Sequence, residues 1–207
     1  LQVIGDFNGL LNKGDYVRPN EKIVVTGVKV VYEGTEAPPP NEYFGIKMTD
    51  NIGNVFINKS SSGLDIYFTY RTQELAGREE INLTFVDLIG EADNAAGLVN
   101  FFYIVDVDLP DAPEEITVRA DSDIDPLIGY DNDPEVFVTW NPAFDRTSEV
   151  IGYMYSFSDG GGTDQGTFTE NTQAVIDDLK EGWNEIFVWS VDSARNYGPS
   201  QVATVYY

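Results

Sequence analysis

One segment of this chain occurs twice. Gly77–Asp87 and Gly182–Asp192 share a leading glycine, a Glu-Ile pair and a closing Val-Asp. Asp192 follows Asp87 by 105 residues, the difference between 192 and 87. Solenoid repeats have periods of about 20–50 residues, so this spacing is too long for a solenoid unit. It matches the length of one small β-sandwich, about 100 residues. The repeat therefore predicts two sandwiches in tandem.

Apolar and polar residues alternate along most of the chain, for example over 43–49 and 136–140. This period of two is typical of half-buried β-strands. The segment 106–113 contains two prolines and separates the two halves, and it predicts a semi-rigid linker because proline fixes φ. We therefore predict an all-β chain of two sandwiches, with domains at 1–108 and 109–207 joined by a short Pro-rich linker.

The composition excludes several functions. Acidic residues outnumber basic ones 35 to 12, and the resulting net charge of −23 repels nucleic acids and anionic membrane surfaces while attracting cations. Cysteine and histidine are both absent. Disulfides, thiolate metal sites and imidazole acid/base chemistry are therefore excluded. There is also no run of about 18 apolar residues, so we expect no membrane insertion by this segment.

The second half resembles a fibronectin type III domain or a bacterial or archaeal Ig-like domain of cell-surface proteins. The resemblance is carried by Trp140–Pro142, Leu179–Asn196 and Gly198–Ser200, with Arg195 where the family usually has glycine. The first half resembles the same group more loosely, through Phe85–Gly90 and residues 22–35. The resemblance implies secreted or cell-surface modules, often in strings, in adhesins, S-layer proteins or accessory regions of secreted hydrolases.

Two acidic clusters are candidate calcium sites, although no cofactor is required by the predicted fold. Alternating aspartates present hard oxygen ligands, but Pro126 and Asn132 break the EF-hand pattern, and the alternative is a solvated acidic loop. A weaker candidate lies in the linker, because calcium at such junctions stiffens the domain pair in cadherin-like strings, although the motif here does not match the cadherin linker closely. The first cluster is Asp121, Asp123, Asp125, Asp131 and Asp133, and the linker cluster is Asp106, Asp108 and Asp111.

Aromatic residues form a second kind of candidate site. The resemblance directs Val188 and Ser190 inward, so Phe187 and Trp189 are predicted to face outward. Tyr153 and Tyr155 form a similar stripe on a neighbouring strand. Together they would make a platform for sugar rings or a partner protein. The alternative is that loops or another module cover them, because large exposed apolar patches are rare on monomers.

Two further features bear on location and catalysis. Asn58 and Asn82 begin N-glycosylation sequons, which suits a surface location. No nucleophile elbow, phosphate-binding loop or dinucleotide fingerprint is present, and a carboxylate pair for glycoside hydrolysis is not distinguishable among so many acids. We therefore expect that the chain is not an enzyme.

These observations favour a non-catalytic structural or adhesive module of an extracellular or cell-surface protein, S-layer-like or adhesin-like. Its partners would be other surface-protein modules, copies of itself, or glycans. The alternative is a carbohydrate-binding accessory module of a secreted hydrolase that uses the outward aromatics of the second domain. A third possible function is that of a hydrolase. The excess of acid also fits adaptation to high salt, because solvated carboxylates keep proteins soluble.

Overall fold

The computed structural model describes residues 2–29, 44–51, 55–59, 65–87, 93–120 and 135–207. The chain forms two compact units, Leu1–Val107 and Asp108–Tyr207, which divide one residue before the predicted boundary. The regular elements in the described ranges are β-strands, so the all-β prediction is confirmed. Within those ranges, no helix is long and apolar enough to span a lipid bilayer.

The first unit contains the strands β1 (Gln2–Gly5), β2 (Gly9–Leu11), β3 (Tyr16–Val17), β4 (Lys22–Lys29), β5 (Phe44–Asp50), β6 (Val55–Lys59), β7 (Asp65–Arg71), β8 (Gly77–Asp87) and β9 (Asp93–Val105). They form a sandwich of a four-stranded and a five-stranded sheet, in the orders β2-β1-β4-β7 and β3-β9-β8-β5-β6. Strand β3 pairs in parallel with β9, whereas β8 pairs with β5 and β9 in antiparallel fashion.

The core of the first unit follows from the alternation along these strands. Ile23 and Val25 on β4 are fully buried, while Val24 between them is only half-buried. This is the pattern of a strand that turns one face toward the opposite sheet. Buried side chains from both sheets, such as Phe68 and Ile81, complete the core.

The second unit contains the strands β10 (Glu114–Ala120), β11 (Val136–Asn141), β12 (Val150–Ser156), β13 (Thr167–Thr169), β14 (Gln173–Ile176), β15 (Trp183–Asp192) and β16 (Gln201–Tyr206). They form a sandwich of a three-stranded and a four-stranded sheet, in the orders β10-β11-β14 and β13-β12-β15-β16. Val136, Val138 and Trp140 alternate into its core, where the Trp140 ring meets the Tyr153 ring edge-on at 5.3 Å between centroids.

The sequence repeat occupies the same place in both sandwiches. Strand β8 lies between β5 and β9 in the larger sheet of the first unit, and β15 lies between β12 and β16 in the larger sheet of the second. Ile81 and Ile186, which correspond in the repeat, are both buried in their cores. The duplicated segment is therefore a central strand of the larger sheet in each unit.

Candidate functional site

The structure corrects the predicted aromatic platform at Trp189. This side chain does lie on the opposite face of β15 from Val188, as predicted, but it is completely buried. It forms a second small apolar cluster with Met154 and Val191, on the outer side of the four-stranded sheet. Its indole Nε1 donates a 2.8 Å hydrogen bond to the carbonyl oxygen of Thr163. The loop between β12 and β13 therefore covers the face that would have bound a sugar.

Two glycines allow this loop to lie directly on the indole. A Cβ atom at Gly160 would stand 2.5 Å from Cη2 of Trp189, and one at Gly166 would stand 2.9 Å from the same atom. Both distances are too short for any side chain. At the start of the loop, hydrogen bonds from Ser200 Oγ and then from Gly161 N lower the pKa of Asp159. The glycine-rich segment is thus a cover for Trp189.

The other predicted aromatic residues do not form a common exposed surface either. Tyr153 is buried, and its hydroxyl accepts a hydrogen bond from the backbone N–H of Ala143. Tyr155 packs against the sandwich core, on the inner face of the sheet. Phe187 lies half-buried beside Trp189. The four predicted residues therefore belong to two opposite faces, because β12 and β15 are paired in register.

A different tryptophan is exposed beside a groove. The Trp183 side chain is 74% exposed and meets the Tyr206 ring edge-on at 5.3 Å between centroids. The groove next to it has a volume of about 470 Å³. Besides Trp183, its lining residues are Phe157, Asp178, Lys180, Asn184, Glu185 and Thr204. An exposed indole next to carboxylate, ammonium and hydroxyl groups is a combination that suits a polar ring-shaped ligand. Trp183 belongs to the repeated segment, but the sequence pattern did not indicate it as a site residue.

The first predicted calcium cluster lies outside the described residues, since all five of its aspartates fall within 121–134. The linker aspartates lie within the described residues. Asp106 is buried at the end of the first unit, where its backbone N–H donates to the carbonyl oxygen of Val17. Asp111 is exposed, and its backbone carbonyl accepts a hydrogen bond from Ser190 Oγ.

Asp108 joins a network of polar side chains in the second unit. Its Oδ2 accepts a hydrogen bond from Thr147 Oγ1, and its backbone carbonyl accepts one from Asn196 Nδ2 at 3.0 Å. Two buried carboxylates, those of Asp145 and Asp192, belong to the same network. One carboxylate oxygen of Asp145 lies within 4.8 Å of one of Asp192.

The sequence pattern did not indicate Asp145 or Asp192 as site residues. Asp192 attracted notice only as the end of the repeat, and Asp145 is 47 residues away, the difference between 192 and 145. Strand pairing places them together, because Asp192 ends β15 opposite Val150 at the start of β12. A local turn motif could have indicated Asp145. An aspartate accepts hydrogen bonds from the backbone N–H groups two and three residues later, which here belong to Thr147 and Ser148.

The two sequon asparagines lie on strands of the first unit. Asn58 is on β6 and pairs with Ile46, whereas Asn82 is on β8 and pairs with Thr49 and Asn100. Their use as glycosylation sites stays a prediction.

Comparison with known proteins identifies the fold. No protein-family model matches the chain, and no curated protein matches it. The solved structure of the chicken CNTN1 FN1–FN3 domains matches at 13% identity and a TM-score of 0.50, covering 95% of this chain and 66% of that one. The chain thus spans just under two thirds of that structure.

Two other solved structures have the same low identity of 13%. The fibronectin(III)-like modules of Clostridium thermocellum CbhA match with a TM-score of 0.49, over 99% of this chain and 93% of that one. A two-domain fibronectin type III segment of chicken tenascin matches with a TM-score of 0.35, over 95% of each chain. The strand orders and the likeness to the CNTN1 domains together show that the chain folds as two tandem β-sandwich domains of the fibronectin type III and Ig-like type.

Proposed function

We propose that the chain is a non-catalytic structural segment of an extracellular or cell-surface protein, in which each sandwich acts as a stiff spacer or adhesive module. The observation that carries the proposal is the packing of β15. Its inner residues fill the sandwich core, and its outer residue Trp189 is sealed by the unit's own loop. A central strand packed on both faces within one unit gives a self-contained module that resists extension.

Several properties of the whole chain support this proposal. Sandwiches of this type commonly serve as non-catalytic modules, and the fold alone does not imply an active site. The net charge of −23 keeps such modules soluble and hinders their aggregation. Because no cysteine is present, the stiffness of each unit depends on its core and its sheet hydrogen bonds.

Single-molecule stretching of the full chain between two handles tests the mechanical role. We expect two discrete unfolding events, each releasing about 33–36 nm per 100 residues, since an extended residue spans about 3.3–3.6 Å. Trp189→Ala should lower the force of one event only. Extension without discrete events would contradict a spacer role.

Antibody labelling of cells that express the parent gene tests the location. Antibodies raised against the chain should label intact cells or the culture medium. Labelling that appears only after the cells are permeabilised would contradict an extracellular role, whatever the mechanical result.

A second candidate function is sugar binding, now at Trp183 instead of Trp189. The observation that favours it is the groove, where an exposed indole adjoins Asp178, Lys180 and Glu185. Aromatic faces pack against the C–H faces of sugar rings, and neighbouring polar groups bond to the hydroxyls. The chain would then serve as an accessory module of a secreted hydrolase.

A glycan array separates this candidate from the structural role. Binding by the wild type that is lost in Trp183→Ala, and kept in Phe144→Ala, would support a sugar site at the groove. Phe144 is a matched control because it is also largely exposed, at 65%, but does not line the groove. Absence of binding by the wild type would exclude the candidate.

A further inference from the structure

We propose that the second unit binds a calcium ion through the carboxylates of Asp145 and Asp192. Asp145 lies in the connection between β11 and β12, and Asp192 is the last residue of β15. Both side chains are at least nine-tenths buried, with Asp145 6% exposed and Asp192 fully enclosed. Neither residue belongs to the acidic clusters that the sequence pattern indicated.

The orphan oxygen of Asp145 is the observation that points to a cation. Its Oδ1 accepts hydrogen bonds from the backbone N–H groups of Thr147 and Ser148 at 2.8 and 2.7 Å. Its Oδ2 is buried, and no residue in the described ranges donates a hydrogen bond to it. A buried carboxylate oxygen without a donor costs folding free energy, so a native protein supplies a partner for it. A bound cation is such a partner.

The second carboxylate strengthens this inference. Two like charges buried within 4.8 Å of each other destabilise the folded state, unless a positive charge lies between them. Two oxygens that bind one calcium ion at about 2.3–2.6 Å lie at most about 5.2 Å apart. The distance between the two carboxylates is therefore within the range that one shared ion requires.

The surrounding turn holds Asp192 in a fixed position. Asn196 donates its backbone N–H to Oδ1 at 2.8 Å and its side-chain Nδ2 to Oδ2 at 2.9 Å. The turn closes through Arg195, whose φ of 68° is in the left-handed region and whose N–H donates to the carbonyl oxygen of Asp192. A carboxylate held by two donors loses little conformational entropy when it binds an ion.

A third carboxylate adds negative charge to the same region. Asp108 accepts a hydrogen bond from Thr147 Oγ1, and the Thr147 backbone N–H binds Asp145. Asp108 is also tied to the Asp192 turn, because its backbone carbonyl accepts from Asn196 Nδ2. The region thus offers carboxylate oxygens from three chain segments.

The donor atoms favour calcium over other metals. All of them are oxygens, and a chain without histidine or cysteine offers no imidazole or thiolate for zinc or copper. Calcium accepts six to eight oxygens in flexible geometry, which backbone carbonyls and water would complete, whereas magnesium demands near-ideal octahedral geometry.

Thermal unfolding of the full chain, followed by tryptophan fluorescence, tests the site. All three tryptophans lie in the second unit, so this signal reports that unit alone. The unfolding midpoint should rise when calcium chloride replaces a chelator, with ionic strength matched by sodium chloride. Magnesium should produce a smaller rise. Asp145→Asn and Asp192→Asn should lose the calcium response, while Asp164→Asn, which alters an exposed carboxylate of the same unit, should keep it.

The response in chelator distinguishes an ion site from a purely structural cap. An asparagine at 145 still accepts from Thr147 and Ser148 but removes one buried charge. We therefore expect Asp145→Asn to be at least as stable as the wild type in chelator and less stable in calcium. An equal loss of stability in both buffers would mean that the carboxylate only caps its loop. Equal calcium responses in the wild type and both variants would place the ion elsewhere. Either result would overturn the proposal.

Discussion

The indole Nε1 of Trp189 donates a 2.8 Å hydrogen bond to the carbonyl oxygen of Thr163, which lies in the loop that joins β12 to β13. This bond satisfies the single polar atom of a side chain that is otherwise buried among apolar groups. It also ties the loop to the central strand of the sheet. Trp183, six residues earlier on the same strand, is in contrast largely exposed.

The three tryptophans should therefore differ in their access to solvent. We expect Trp183→Phe to remove most of the fluorescence that acrylamide quenches, because Trp140 is 5% exposed and Trp189 is fully buried. Trp189→Phe should leave the quenched intensity nearly unchanged and so raise the quenched fraction of the remaining emission. Strong quenching that persists in the Trp183→Phe variant would show that the loop does not cover Trp189.

The same pair of residues should differ in their effect on stability. Trp189→Ala removes a buried ring and a hydrogen bond, so the unfolding free energy of the second unit should fall by about 3–5 kcal/mol. Trp183→Ala loses an edge-on contact with Tyr206 on the surface, and the fall should be about 0.5–1.5 kcal/mol. Urea unfolding followed by circular dichroism measures both, with Phe144→Ala as an exposed control. Similar losses in the two tryptophan variants would contradict the packing of Trp189.

The contrast between these tryptophans shows how far the sequence determines the fold and the site. The two-residue period correctly predicted the strand and the opposite faces of Val188 and Trp189. It did not predict what lies above Trp189, because that depends on how closely Gly160 and Gly166 let a loop approach. The pairing of Asp145 with Asp192 was equally inaccessible, since strand register brings together residues that form no local motif.

Arg195 offers a test of backbone strain at the turn beside Asp192. A φ of 68° costs an L-residue about 1–2 kcal/mol, which glycine avoids. The greater freedom of glycine in the unfolded chain offsets about 0.4–1 kcal/mol of this gain. We expect Arg195→Gly to stabilise the second unit by about 0.5–1 kcal/mol in urea unfolding followed by tryptophan fluorescence.

Arg195→Ala is the matched control for this change. Alanine keeps the strained Cβ but, like glycine, loses the contact between the guanidinium and the Phe168 ring, which lies 6.0 Å away. The alanine variant should therefore be no more stable than the wild type. If alanine and glycine stabilise equally, the effect comes from losing the arginine side chain and the strain argument fails.

Buried Glu79 should make the first unit less stable as the pH rises. Its side chain is fully enclosed, and Oε1 accepts no hydrogen bond from the described residues. Burial raises its pKa above the ordinary value of 4.5, more than the hydrogen bonds from Tyr103 and the Gln73 backbone lower it. The folded state then binds a proton that the unfolded state releases, so stability is full below 4.5 and decreases through the folded pKa.

Glu79→Gln should remove most of this pH dependence, because glutamine is neutral and supplies a donor in place of the protonated carboxyl. At pH 8 the variant should be more stable than the wild type, because glutamine buries no charge. Calorimetry measures the stability of the first unit, whose unfolding transition tryptophan fluorescence does not report because all three tryptophans lie in the second unit.

Glu80→Gln is the control, because Glu80 is a half-exposed neighbour that pairs with Arg78. This variant should keep the wild-type dependence of stability on pH. Burial also raises the pKa of Glu21, so the Glu79→Gln variant should keep a smaller dependence of stability on pH. An unchanged slope in Glu79→Gln would assign the pH dependence to Glu21 or to other groups.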